Sequence, residues 1–247
     1  MIISKLNIFT LFLSGLLLMP FLVYAQDLTM PDKFENLRLT GENAVGNTVR
    51  TYDGRYEGVR GHPYFLEEWT PGNVLLENER EYRNVKLKYN VYQDQLIGLQ
   101  HDKFAIMLPK DQVRAFTMLK QDSSQTANFV KARHLEVDLS KVPPEQYVQV
   151  LYEGKLKLYA VNRKLLDEAD YRGAYNTGRR YDLFGELDAV FYLSGPWGTS
   201  KLKRRNKKVL KAFKMHTKIL KDYVELEELD LRQREDLIQL LQYYESL

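Results

Sequence analysis

From Val85 the chain alternates: Val85, Leu87, Tyr89 and Val91 are apolar, and Lys86, Lys88 and Asn90 between them are polar. A period of two sends one set of side chains to a buried sheet face and the other to water, so this stretch reads as a half-buried strand. Beyond Lys201 the period lengthens, and Val209, Leu210 and Phe213 fall on one face of a helix. This change of period limits the fold more than any motif does. It predicts an α+β protein, a largely antiparallel β region followed by two or three C-terminal helices.

Further strands are expected over Gln95 to Leu99 and Phe104 to Leu108, with a turn at His101-Asp102, and over Gln112 to Leu119. The clearest hairpin runs from Tyr147 to Val161. There Gly154 is expected to take a positive φ in the turn, and Lys155 and Lys157 to point away from Leu156 and Leu158. Pro143 and Pro144 mark a boundary ahead of it. Asp53-Gly54 and Pro71-Gly72 read as turns around the aromatic stretch Tyr52 to Trp69. The last strand, Glu186 to Leu193, should stop at Ser194-Gly195-Pro196. Asn206 is the expected N-cap of the first helix, and Lys218 to Val224 continue helically. A final helix from about Arg232 should bury Leu237, Ile238, Leu241 and Tyr244 and turn Arg232, Arg234 and Glu235 outward.

The first 25 residues have a different character. Lys5 provides a positive start, Ile8 to Leu22 an apolar stretch, and Val23-Tyr24-Ala25 a small-residue exit, the pattern of a secretory signal peptide cleaved after Ala25. The expected organisation is a signal peptide at 1–25, an irregular lead-in at 26–50, a β-rich domain at 51–200 and a helical segment at 201–247. Cleavage leaves no transmembrane segment. The chain has no cysteine, which excludes disulfides, thiolate metal sites, a cysteine nucleophile and a lipidated N-terminal cysteine. The mature protein is therefore expected in the periplasm or outside the cell, without a lipid anchor.

Two stretches carry a resemblance. Val150-Leu151-Tyr152-Glu153-Gly154-Lys155 and the tail from Glu235-Asp236-Leu237-Ile238 through Tyr243-Tyr244 are similar to a group of exported Bacteroidota-like cell-envelope proteins of unknown function. In that group a β-rich N-terminal part precedes a Lys-rich helical tail. The resemblance implies an envelope location and carries over no catalytic or binding residue. Related tails often break the helix with a proline and an acid after the position of Phe213; this chain has Lys214-Met215-His216 there.

No motif names a reaction, a metal or a cofactor. His62, His101, His134 and His216 never fall into metal-ligand spacing, and G-x-S-x-G, G-x-G-x-x-G and P-loop patterns are missing. Glu67-Glu68 beside Trp69 is the carboxylate pair to weigh for a glycan hydrolase, with Asp53 or His62 recruited nearby. On a strand, however, adjacent residues face opposite ways and cannot flank one bond. The tyrosines of the β region, Tyr52, Tyr56, Tyr64, Tyr82, Tyr89, Tyr92, Tyr147, Tyr152 and Tyr159, read mainly as half-buried sheet positions, with a groove for a glycan, a peptide or a lipid headgroup as the alternative.

Charge is more informative. The net formal charge is only +3, yet Lys201 to Lys221 holds ten basic residues and no acidic one. Lys207, Lys211, Lys214, Lys218 and Lys221 would form one stripe on a continuous helix, extended upstream by Lys201, Lys203, Arg204 and Arg205. A solvated face balanced by Glu225, Glu227, Glu228 and Asp230 is the plainer account of such a run. The sequence thus points to a non-catalytic exported binding or interaction protein. Its partner would be an anionic lipid, another polyanion or an envelope protein; export disfavours nucleic acid. The alternatives are an exported glycan hydrolase and an accessory subunit of an envelope complex.

Overall fold

A computed structural model describes residues 56, 58–101, 103–119, 126–169, 181–203 and 205–247. The signal peptide, the lead-in, Tyr52, Asp53-Gly54, Asp102 and Arg204 lie outside the described residues. Ten strands form one antiparallel sheet: β1 (Thr70–Leu76), β2 (Glu81–Asn90), β3 (Gln95–Gln100), β4 (Phe104–Met107), β5 (Val113–Leu119), β6 (Thr126–Lys131), β7 (Tyr147–Glu153), β8 (Lys157–Arg163), β11 (Asp188–Gly195) and β12 (Gly198–Lys201). β9 (Leu166–Asp167) and β10 (Leu183–Phe184) make a separate two-stranded ribbon. Three helices follow: α1 (Asn206–Leu210), α2 (Thr217–Leu226) and α3 (Arg234–Ser246). The α+β expectation holds. Among the described residues no helix is long and apolar enough to cross a membrane.

The strand order is β12-β11-β8-β7-β6-β5-β1-β2-β3-β4, so two meanders run in opposite directions from a β1–β5 seam. The link from β4 to β5 forces the first meander to curl. In a flat sheet the two strands would stand four spacings, roughly 19 Å, apart. Residues 108–112 would have to be almost fully extended to cover that, yet Lys110 to Gln112 form a turn. Curling brings the ends together: Leu108 N–H donates to Leu96 O at 3.0 Å and Glu77 N–H to Gln112 O at 2.8 Å. Inside the curl the alternating residues of β1 to β6 pack around Tyr89, Phe116, Phe129 and Tyr147, with Phe116 and Phe129 stacked at 4.7 Å. Of the β-region tyrosines, Tyr64, Tyr82, Tyr89, Tyr147 and Tyr159 are buried, Tyr56 and Tyr152 are half-buried, and Tyr92 is exposed.

The second meander is covered on both faces. Val148, Tyr159 and Tyr192 pack against Leu139 on one side. On the other, Leu158 and Leu193 meet Phe213, Leu220, Leu237, Leu240 and Leu241 of the helical segment.

Several local expectations are corrected. Pro71-Gly72 lies inside β1, not in a turn; β5 begins to pair only at Gly72, so the missing N–H of Pro71 interrupts no bond there. A Cβ on Gly72 would overlap the Thr117 carbonyl oxygen, so close strand approach explains this glycine. Gly154 does not take a positive φ; a Cβ there would strike the Glu245 carboxylate, so it makes room for α3. The chain does not stop at Ser194-Gly195-Pro196 but turns through Pro196-Trp197 into β12, with Gly198 at φ +95°. The N-cap of α1 is Arg205, and Asn206 begins the helix. The basic run is not one helix. Ala212 N–H bonds to Val209 O and Phe213 N–H to Leu210 O, i→i−3 bonds that tighten and end α1, and His216 at φ 57° sets a new direction.

Candidate binding cleft and basic elbow

The sheet and the start of α3 leave a cleft of about 810 Å³ between them. Its floor comes from β8 and β11, where Asn162 pairs in register with Ala189. Because Ala189 is small, the space above it stays open. Leu202 N–H donates to Phe191 O at 2.8 Å, which carries the chain past β12 along one rim and places Lys201 and Lys203 there. Asn206 fixes the adjoining wall: its Nδ2 donates to Leu229 O at 2.8 Å and its Oδ1 accepts from Leu231 N–H at 3.1 Å. Asp230 N–H in turn donates to Asp236 Oδ2 at 2.8 Å, tying the loop to the first turn of α3.

Five cations and two carboxylates line the cleft: Arg163, Lys201, Lys203, Arg232 and Arg234 against Asp188 and Glu235. Two of the cations are committed. Arg163 holds Asp188 at 2.6 Å, and Arg232 holds Asp230 at 2.8 Å. The Arg232 hydrogen bond, opposed by slight burial, keeps the Asp230 carboxyl at about 2. Arg234 differs. It is half-buried, its guanidinium donates to Asn162 Oδ1 at 3.2 Å, and Asn162 in turn donates to Gln149 Oε1 at 2.9 Å. Burial lowers its pKa, partly offset by Glu235. Among the described residues it has no carboxylate at ion-pair distance. Arg234 and Glu235 also line a second cavity of about 430 Å³ beside Gln149 and Gln239.

The expectation that Arg234 turns outward is therefore corrected: its side chain lies against the sheet. The sequence did hold a signal. Arg234 opens a helix whose first turn also carries Glu235 and Asp236, and a cation in a first turn opposes the helix dipole. An arginine in that position calls for a local reason.

The lysines of the basic run are divided between elements. Lys207 is on α1, Lys211 follows its end, Lys214 lies in the elbow, and Lys218 and Lys221 are on α2. All five are exposed, and Lys221 pairs with Glu225 at 3.2 Å. Exposed apolar side chains sit among them, Met215 at 56% and Ile219 at 43%.

The remaining candidates are scattered. Glu67 and Glu68 lie exposed on a bend, and Lys88 sits over the ring of the neighbouring Trp69 at 5.2 Å, occupying one face on which a sugar could stack. His62 Nδ1 accepts from Tyr64 N–H at 3.2 Å. His134 pairs with Glu77 at 2.9 Å, while His101 and His216 sit at positive-φ turns. Among the described residues no group of three metal-ligating side chains converges. Comparison with protein-family models, with curated proteins and with solved structures finds no match.

Proposed function

We propose that the chain is an exported, non-catalytic binding protein of the cell envelope that adsorbs to anionic lipid through the α1–α2 elbow. The observation that carries this reading is the elbow itself. Lys207, Lys211, Lys214 and Lys218 are exposed and have no carboxylate partner among the described residues, and Met215 and Ile219, next in the chain to Lys214 and Lys218, are exposed too. Lysines near an anionic bilayer contribute about 1 kcal/mol each, and adjacent apolar side chains seat in the headgroup boundary. The acids Glu225, Glu227 and Glu228 follow at the far end of α2, leaving the elbow end cationic. Export rests on the signal-peptide pattern of the first 25 residues.

The test is co-sedimentation with phosphatidylcholine vesicles, with and without phosphatidylglycerol. Binding is expected only with the anionic lipid, falling with salt as exposed charges are screened, and lost in the Lys211→Glu plus Lys218→Glu variant. Undiminished binding by that variant sinks the elbow. Export is checked separately: the mature protein should begin at Gln26.

A further inference from the structure

The cleft beneath α3 is distinct from the elbow and is built differently. It combines an apolar floor, including Ala189, Phe191 and Leu202, with a guanidinium at its inner end and two lysines on its rim. We infer that this cleft binds a small amphiphilic acid, its carboxylate or phosphate head on Arg234 and its apolar body along Ala189 and Phe191.

The argument is one of unspent hydrogen bonds. A guanidinium has five N–H donors. Arg234 uses its side chain for one neutral acceptor, Asn162, and is half-buried. Burying a charge without a counter-charge is costly, and such groups are ordinarily paired. The neighbouring cations show the ordinary solution: Arg163 and Arg232 each hold a carboxylate. Lys201 and Lys203 have no such partner among the described residues, so the cleft keeps an excess of positive charge. A carboxylate or phosphate would take the free edge of the guanidinium in the two-bond fork that arginine favours. The lowered pKa of Arg234 is consistent with its poorly solvated position. The apolar floor selects against a bare inorganic ion, because only a ligand with a hydrocarbon or aromatic body covers the partly exposed Phe191.

The experiment is a titration of the full mature chain with octanoate and, separately, octyl phosphate, both below their micelle-forming concentrations, followed by amide NMR shifts and calorimetry. Saturable one-site binding is expected, with the largest shifts at Ala189, Phe191 and Leu231. The stronger of the two probes identifies the head group. Arg234→Gln should weaken binding at least tenfold. Ala189→Leu, which leaves the guanidinium in place and fills the floor, should do the same and serves if Arg234→Gln does not fold. Lys211→Glu plus Lys218→Glu should bind both probes normally, so failure of the lipid-surface reading and failure of the cleft are distinguishable. Absence of saturable binding to either probe, or affinity unchanged by Ala189→Leu, overturns the assignment.

Discussion

The ammonium of Lys131, wholly buried, lies 3.0 Å from Glu77 Oε1, a carboxylate 54 residues away along the chain. Glu145 completes the pairing at 3.1 Å, and Arg133 bonds to both acids. Removing an acid strands part of a buried charge, whereas removing the lysine leaves two carboxylates that still share Arg133 and reach solvent. Glu77→Ala should therefore destabilise by about 3 kcal/mol and Lys131→Met by about 1 kcal/mol. Urea unfolding of the two variants checks the order; equal losses would contradict it.

The same cluster sets an acid limit. Burial pushes the Glu77 carboxyl up, but hydrogen bonds from His134, Lys131 and Arg133 outweigh it and hold the group at about 2, against an ordinary 4.5. A depressed carboxyl stabilises fully above its unfolded value, and that stability is lost as pH falls from 4.5 through about 2. Asp230, held at about 2, acts in the same sense, while Asp94, raised by burial, acts in the opposite one. Unfolding midpoints measured across this window should fall with acidity, and Glu77→Gln should flatten the curve.

Two glycines that both exclude a Cβ should respond differently. At Gly72 the obstacle is the Thr117 backbone oxygen, so Gly72→Ala must separate β1 from β5, at a cost of about 3 kcal/mol. At Gly154 it is the flexible end of Glu245, which can swing away and give up its 3.4 Å bond from Leu156 N–H, at about 1 kcal/mol. Thermal melts decide this, and Glu245→Ala should restore tolerance at Gly154 but not at Gly72.

Helix α3 belongs to the protein's own core. Leu237, Leu240 and Leu241 are fully buried, and the buried Phe213 ring lies 5.8 Å from that of Tyr244. Phe213→Ala should cost about 4 kcal/mol. Truncation before Arg232 should expose the helical side of the sheet, seen as dye binding and loss of cooperative unfolding. A truncated chain that still melts sharply would show that the β region folds without it.

Strand period was readable from sequence where one face met water, as in β2, and at the tip of the β7–β8 hairpin, where Lys155 is exposed and Leu156 buried. It was weakest where packing rather than pattern decides. β1 contains Pro71-Gly72, which imitates a turn, and β12 is the short Gly-Thr-Ser-Lys stretch with no apolar alternation. The break at His216 arises from two i→i−3 bonds and one left-handed residue, features with no compositional signature. Helical spacing placed Leu237 and Leu241 correctly on the inner face of α3. It sent Arg234 outward because spacing reports the face of a residue, not the reach of a long side chain toward Asn162.

Asn206 bonds to both Leu229 and Leu231, more than twenty residues downstream. Through that single side chain, α1 and the loop leading into α3 are held as one wall before anything enters the cleft. That wall needs no ordering on association, so its share of the entropic cost that slows and weakens coupled folding is already met by the free protein. Stopped-flow traces for a cleft ligand should be single exponentials whose rate rises linearly with concentration. In Asn206→Ala a slower, concentration-independent phase should appear as that wall becomes free to rearrange.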